Sequence, residues 1–160
     1  AAARPVVARC SFTDVRNRPA IFGADIDAVP GFTNCTVSNN PGGNFLRIDT
    51  PVVDGSTSIV ASNCVGGALV YNSGTNLTVP AGSTLTLGPG VVLKPLAPQI
   101  LSVDGTLRVQ GTAASPVVLT SIHDDAFGGD TNGNGNATAA GPDQWYGVLL
   151  SPSASASVLD

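Results

Sequence analysis

Short apolar runs separated by Gly, Pro and Asp turns are the feature that most limits what this chain can fold into. Six such runs follow one another between residues 77 and 121. They are Leu77–Val79, Thr84–Leu87, Val91–Lys94, Ile100–Val103, Thr106–Gln110 and Val117–Thr120. Runs of three to five residues are too short for helices, and their content of Val, Ile, Leu and Thr favours strands. The glycines and prolines between them would interrupt a helix, so the pattern predicts an all-β fold.

The six runs repeat as a set of three, which indicates a solenoid. Matching positions recur with a period in the low to middle twenties, in the pairs Thr78 and Ser102, Leu85 and Leu107, and Val92 and Val118. Three strands in a period of this length are typical of a chain that coils so that each turn stacks on the last. Strands one turn apart then pair in parallel, and each coil covers the apolar face of its neighbour. We therefore expect a right-handed parallel β-helix with three short strands per coil.

The composition agrees with one packed domain of low charge. Of the 160 residues, 42% are hydrophobic and 11% are charged, and the formal net charge is −4. One lysine and six arginines form no basic patch, so nucleic acid is not an expected partner. No apolar run approaches the roughly 18 residues that span a bilayer. Richness in Thr, Ser, Asn and Gly with scarce Lys predicts a secreted or cell-surface protein.

Two regions are predicted along the chain. Residues 1–45 lack the repeat and contain four of the five phenylalanines, so we expect an irregular N-terminal cap with leading strands. Residues 46–160 are predicted to form the coils. Within them, residues 121–144 carry no apolar periodicity and are expected to project from the coils as a long loop.

The coil resumes after this loop but is left incomplete. The runs at 145–151 and 156–160 fall in register with the strands of Ser102 and Leu107. The third strand of that coil is absent from the sequence. The open coil edge near Asp160 therefore indicates either a fragment of a longer chain or a stack that another chain continues.

Three cysteines, Cys10, Cys35 and Cys64, lie far apart in the first part of the chain. Their wide spacings match no compact zinc pattern. In an oxidising compartment one disulfide could form among them and leave the third as a buried thiol, with the pairing open.

The loop contains the best candidate for a site. The segment Asp130-Thr131-Asn132-Gly133-Asn134-Gly135 fits the opening of an EF-hand-type calcium loop, in which alternate oxygen side chains face one point and glycine permits a sharp turn. The place of the bidentate glutamate is taken by Gly141, and Asp143 is the nearest substitute. The predicted ligands of a structural Ca²⁺ are Asp124, Asp125, Asp130, Asn132, Asn134, Asn136 and Asp143. The alternative is a solvated loop without a metal.

Catalytic constellations are not evident. His123 is the only histidine and has no matching Ser or Cys nucleophile motif. Lys94, Asp104 and Arg108 are the candidates on the coils for lyase chemistry, but Asp104 precedes a glycine and more simply shapes a turn. Paired carboxylates for glycoside hydrolysis are not evident on the strands either. The residues favour a non-enzymatic role and leave open an active site outside this region.

Three segments resemble a known class of repeat: LTVPAGSTLTLGPGVVLK, LSVDGTLRVQGTAASPVVLTS, and DDAFGGDTNGNG followed by GPDQWYGVLL. They resemble the right-handed parallel β-helix repeats of large secreted bacterial proteins in the pectin-lyase-like superfamily. The resemblance covers residues 77–160, about half of the chain, and implies this fold in an extracellular setting. It is a poor guide to function, because the superfamily includes adhesins, surface-layer and filament components, and sugar-processing enzymes.

The leading hypothesis is a non-enzymatic, secreted or cell-surface β-helix module with a structural or adhesive role in an extracellular assembly, as part of a longer chain. Its expected partners are other protein chains, bound through the open coil edge near Asp160, and carbohydrate. The alternative is a carbohydrate-active β-helix protein of lyase or hydrolase type, with its active site outside or at the edge of this region.

Overall fold

The chain folds into an all-β solenoid, and the computed structural model describes residues 4–71, 74–96, 98–135 and 137–159. Parallel strands stack into about 4 turns, as the repeat predicted. The strands in these residues are β1 (Val6–Ala8), β2 (Ser11–Thr13), β3 (Ile21–Asp25), β4 (Gly31–Thr33), β5 (Thr36–Ser38), β6 (Leu46–Thr50), β7 (Ser56–Ile59), β8 (Leu69–Tyr71), β9 (Leu77–Val79), β10 (Thr84–Leu87), β11 (Val92–Pro95), β12 (Ile100–Val103), β13 (Thr106–Val109), β14 (Val118–Leu119), β15 (Gly147–Leu150) and β16 (Val158–Leu159). Short 3₁₀ helices between strands are Ile26–Ala28, Ala61–Asn63 and Val65–Gly67.

Strands that follow one another along the chain belong to different sheets, and each pairs with a strand one turn away. The larger sheets have the strand orders β3-β6-β8-β11-β14, β7-β10-β13-β16 and β9-β12-β15. Two smaller sheets pair β1 with β4 and β2 with β5. All of these pairs are parallel. The first sheet, called the five-stranded sheet below, carries the candidate site.

The predicted register is confirmed. The partners expected from the repeat pair directly: Thr78 with Ser102, Leu85 with Leu107, and Val92 with Val118. After the loop, β15 lies on β12 and β16 lies on β13, also as predicted. Register is specified this strongly because a slip by one residue would turn every inward apolar side chain to the outside.

Stacking begins at Val6, and β1 to β5 lie within residues 1–45, where an irregular cap with leading strands was expected. β1 pairs with β4 and β2 with β5 at one constant offset, as in the pair of Val6 with Gly31. The turns in this repeat use residues other than glycine in the left-handed conformation. Arg9 and Asn34 take matching places, with φ of 54° and 52°. Glycine therefore does not mark the repeat at these turns, and capping by this segment stays a prediction.

Inward apolar side chains form columns along the solenoid, and these columns end in an open cross-section. The exposed fraction rises from 1% to 60% along one column and from 0% to 41% along another. The first column is Ile59, Leu87, Val109 and Leu159, and the second is Val79, Val103 and Leu150. Burial is lost at β15 and β16 because no further coil lies over them in the described residues.

A buried asparagine links two successive coils at one corner of the solenoid through hydrogen bonds. Asn63 is 2% exposed, and its Oδ1 atom accepts a hydrogen bond from the N–H of Val60 at 2.8 Å. Its Nδ2 atom donates to the carbonyl oxygens of Pro30 at 2.8 Å and Val29 at 3.4 Å, in the preceding coil. A buried amide is tolerated when its donors and acceptors are paired in this way.

Candidate functional site

The Asp/Asn/Gly loop of residues 121–144 is the candidate site, and its first half folds back onto the five-stranded sheet. Ile122 is 5% exposed and packs with Phe45 and Val70. Val70 lies between two residues of the main core, so strand alternation turns it to the outer face of β8. The expectation of a projecting loop is therefore wrong as far as Thr131, which is buried. The second half of the loop is largely exposed where it is described.

Glycines allow the loop backbone to approach the coils closely. A Cβ atom on Gly67 would lie 2.6 Å from the carbonyl oxygen of Gly128, and one on Gly43 would lie 2.7 Å from that of Thr131. Gly67 and Gly43 also have positive φ, of 101° and 112°. A side chain at Gly67 would push the loop outward, whereas one at Gly43 would meet the Phe45 ring before it met the loop.

Lys94, the one lysine of the chain, lies beneath the loop and is 0% exposed. Its ammonium donates to the carbonyl oxygen of Asp124 at 2.7 Å and to the hydroxyl oxygen of Thr131 at 2.7 Å. A third, longer bond of 3.3 Å reaches the carbonyl oxygen of Gly129. The three donors of the ammonium therefore meet three acceptors, all supplied by the loop.

Burial and nearby carboxylates shift the pKa of Lys94 in opposite directions. Burial lowers the pKa of Lys94 below its ordinary value, and the negative charges of Asp124, Asp125 and Asp130 raise it in part. Three carboxylates outnumber one ammonium, so the loop keeps a negative balance. The ammonium holds loop oxygens together, as a bound cation would. The first half of the loop is therefore ordered by a side chain of the protein itself, without a need for Ca²⁺.

The predicted ligands Asp130, Asn132 and Asn134 lie together and make hydrogen bonds within the loop. The carboxylate of Asp130 accepts from the N–H of Asn134 at 3.1 Å and from that of Gly135 at 2.8 Å. The Oδ1 atom of Asn132 accepts from the N–H of Asn134 at 3.3 Å. The amide groups of Asn132 and Asn134 donate to the hydroxyl of Thr138, at 3.1 Å and 2.9 Å. The turn thus closes on itself through these side chains.

The other predicted ligands are in different situations. The Oδ2 atom of Asp124 accepts from the hydroxyl of Thr120 at 2.6 Å. The Oδ1 atom of Asp125 is buried and accepts no hydrogen bond within the described part of the chain. Asp143 is exposed, in a left-handed conformation with φ of 63°, and Asn136 lies outside the described residues. Across residues 4–71, 74–96, 98–135 and 137–159, no group of three His, Cys, Asp or Glu residues is placed to hold a metal ion. Calcium binding stays a prediction.

His123 joins the same network. Its Nδ1 atom lies 3.1 Å from the hydroxyl oxygen of Thr138 and 3.1 Å from the Nδ2 atom of Asn132. With Asp125, His123 also lines a cleft of about 310 Å³. The imidazole therefore lines the cleft and makes hydrogen-bond contacts to other side chains of the loop.

A second cleft lies where the loop meets a corner of the coils. It measures about 340 Å³ and is lined by Asn39, Asn44 and Asp130, among others. Carboxylate and amide groups of this kind hydrogen-bond readily to hydroxyl groups of a polar ligand. Groups of this kind line both clefts.

The candidates for lyase chemistry are not brought together. Lys94 lies on β11 and Arg108 lies on β13, in two different sheets, and Asp104 lies in the turn between β12 and β13. Asp104 and Arg108 are exposed, whereas Lys94 is buried under the loop. This arrangement does not form a shared site for catalysis.

The importance of Lys94 and Thr131 was missed at the level of sequence. The one signal was the position of Lys94 directly after the apolar run Val91–Leu93. This signal is weak, because lysine at an outward strand position is normally exposed. Thr131 gave no signal, since nothing local shows which residue of a loop returns to the sheet.

Comparison with known proteins does not assign a family. No family model matches the chain, and neither a curated protein nor a solved structure matches it. The solenoid architecture therefore rests on the structure itself, and membership of the pectin-lyase-like superfamily stays a hypothesis. Within the described ranges, none of the helices has the length and apolar character needed to cross a membrane.

Proposed function

We propose that this protein is a non-enzymatic module of an extracellular assembly, secreted or at the cell surface, in which a rigid β-solenoid has a structural or adhesive role. Two properties support the proposal: stacked parallel coils of low charge, and an apolar end of the stack over which no further coil lies in the described residues. In a stack of this kind each coil is stabilised by its neighbours, so the stack can be extended by adding another coil.

The observation that carries the proposal is the exposure of inward apolar side chains at β15 and β16 in the described residues. Leu150 and Leu159 occupy inward positions and are 41% and 60% exposed, although their counterparts in earlier coils are buried. Covering such a surface is favourable by roughly 25 cal/mol per Å². In the described residues, β14, β15 and β16 each pair on one side only, so their free edges suit strand addition. Asp160, where this edge was predicted, lies outside the described residues.

The partner we propose is another protein chain that adds parallel strands to this end, a second copy being the simplest case. Sedimentation velocity of the purified chain over a range of concentrations tests it. Association should grow with concentration, and Leu159→Asp should abolish it because a carboxylate would be buried in the contact. Val60→Asp is the matched control, since Val60 is 45% exposed but lies in a middle coil. A chain that stays monomeric throughout, or two variants with equal effects, would contradict the proposal.

The extracellular location rests on composition and on the resemblance to secreted bacterial repeats. Charged residues make up 11% of the chain, and lysine occurs once. Immunoblots of the medium, the cell surface and the cytosol of the native source test this part directly. Recovery in the cytosolic fraction alone would contradict it.

A second candidate function, carbohydrate binding or processing, is favoured by the two clefts beside the loop. Asp125 lines one of them, and Asp130 lines the other. Titration calorimetry with oligosaccharides should show binding that Asp125→Asn weakens and Asp104→Asn leaves unchanged, because Asp104 lies in an exposed turn away from the clefts. Absence of heat with acidic and neutral oligosaccharides would remove this candidate.

Weak binding of Ca²⁺ by the loop is also part of the proposal. It is supported by the spacing of Asp130, Asn132 and Asn134, by the surplus of carboxylates over Lys94, and by the unpaired Oδ1 atom of Asp125 in the described part of the chain. Added CaCl₂ should raise the Tm and protect residues 121–144 from proteolysis. Identical melting and digestion in CaCl₂ and in excess chelator would rule the ion out.

A further inference from the structure

Cys10 and Cys35 occupy the same place in two successive coils. On one side of this place Ala8 pairs with Thr33, and on the other side Ser11 pairs with Thr36. Both pairs have the same offset along the chain, and Cys10 and Cys35 are separated by that same offset, so these cysteines are direct neighbours across the stack. Parallel neighbours lie about 4.8 Å apart, within the roughly 4.4–6.8 Å between Cα atoms that a disulfide spans.

The thiols of this pair are turned the same way. The Sγ atom of Cys10 donates to the carbonyl oxygen of Ala8 at 3.3 Å, and that of Cys35 donates to the carbonyl oxygen of Thr33 at 3.5 Å. The Sγ atom of Cys35 also lies 3.4 Å from the carbonyl oxygen of Val7, which is in the coil of Cys10. Cys35 thus reaches towards the coil in which Cys10 lies.

Cys64 follows in the third coil, but its thiol reaches away from the pair. Its Sγ atom lies 3.9 Å from the carbonyl oxygen of Val92, in the next coil along. Burial also raises the pKa of the Cys64 thiol to about 11, which keeps it in the unreactive protonated form. All three residues are free thiols in this structure, and Cys64 is the one least suited to react.

We propose that Cys10 and Cys35 form a redox pair that closes to a disulfide between the first two coils, while Cys64 remains a thiol. The oxidant is a low-molecular-weight disulfide such as oxidised glutathione. One cysteine thiolate attacks it and releases one small thiol, and the second cysteine then displaces the other small thiol from the mixed disulfide. Two protein thiols are oxidised to one disulfide, and one small disulfide is reduced to two thiols.

The bond would link the first two coils of the described residues, at one end of the stack. Among the described residues, β1 and β2 each pair with one strand only. A disulfide restricts the unfolded chain and ties the first two described coils together. The oxidised protein should therefore melt at a higher temperature than the reduced one.

The experiment uses the full chain, reduced and then treated with oxidised glutathione. The product should lose the mass of two hydrogen atoms, and denaturing alkylation followed by digestion should recover a peptide pair linked through Cys10 and Cys35, with Cys64 alkylated. Cys64→Ser should give the same loss of mass and the same rise in Tm. Cys10→Ser and Cys35→Ser should give neither.

Three results would overturn the proposal. One is a linked peptide that contains Cys64. Another is recovery of three alkylated cysteines, or of glutathione adducts alone, from the wild-type chain. The third is a Tm that does not change on oxidation although the linked peptide is present, which would contradict the stabilising role of the bond.

Discussion

The ammonium of Lys94 and the main-chain carbonyl oxygen of Asp124 lie 2.7 Å apart, although 30 positions separate the two residues in the chain. Together with the bond to Thr131, this contact makes the loop an outer layer of the five-stranded sheet. Around Val70 and Lys94 the sheet is therefore covered on both faces, by the core inside and by the loop outside. The stability of the loop and that of the coils should be coupled.

Replacing Lys94 with methionine is expected to lower the free energy of unfolding by roughly 3–5 kcal/mol, because it leaves buried acceptors and nearby carboxylates without their cation. Urea unfolding measures this loss, and limited proteolysis of residues 121–135 measures release of the loop. Arg108→Met is the control, since Arg108 is exposed on β13. Equal stability and equal digestion of the two variants would show that Lys94 does not hold the loop.

Gly67→Ala is expected to destabilise the protein by about 1–3 kcal/mol more than Gly82→Ala. Both glycines have positive φ, of 101° and 83°, so both substitutions strain the backbone. Only a Cβ atom at Gly67 would meet the loop, at the carbonyl oxygen of Gly128, whereas nothing lies within 4 Å of one at Gly82. Chemical denaturation of the two variants isolates the loop contact, and equal losses would argue against close docking.

Asn63→Ala is expected to lower the free energy of unfolding by about 2–3 kcal/mol, because the groups that bond its buried amide lose their partner. The control is Asn76→Ala, in which an exposed side chain loses one bond, of 3.1 Å, from the N–H of Ile100. Urea unfolding at pH 7 compares them. Similar losses in the two variants would mean that the corner does not depend on the buried amide.

Stability is expected to fall between pH 9 and pH 11 partly because of Cys64. Burial raises the pKa of its thiol from 9.0 to about 11, so in this range the unfolded chain releases a proton that the folded chain keeps. The stability present below pH 9 is lost as the pH approaches 11, by at most about 2.7 kcal/mol. Burial also raises the pKa of Tyr71, which adds a fall common to all variants.

Urea unfolding under reducing conditions from pH 7 to pH 11 checks this expectation. Cys64→Ala should show a shallower fall than the wild type. Cys10→Ala, which removes a thiol from the same corner two coils away, should keep the full slope. Parallel curves for the three proteins would show that the Cys64 thiol is not buried in solution.

The register of the central coils was predictable because it depends on local alternation. Leu85 and Leu107 each lie at an inward position between outward threonine or arginine side chains, and their stacking follows once the period is known. The first two coils have an equally regular period, but their turns pass through Arg9 and Asn34 instead of glycine. Leading strands were expected there, but their regular stacking was not, because these two turns lack the glycine that marks the turns of the central coils.

The candidate site was only half predictable for a related reason. The cluster of Asp130, Asn132 and Asn134 is local in sequence, and the structure does bring these residues together. The return of Thr131 to Lys94, 37 residues away, is a long-range contact that no periodicity records. The same holds for the close approach of Gly67 and Gly128.

The residue pattern was therefore sufficient to specify the repeating strand, its inward face and its partner one turn away, because side-chain alternation and turn spacing are properties of neighbouring residues. Tertiary packing decided the rest: where the loop lies, that Lys94 is buried, and which cysteines are neighbours. Those features arise only after the coils have stacked, because the outer face of the sheet does not exist before then. Once it exists, the loop can replace its bonds to water with bonds to the Lys94 ammonium and can approach the glycines of the coils closely.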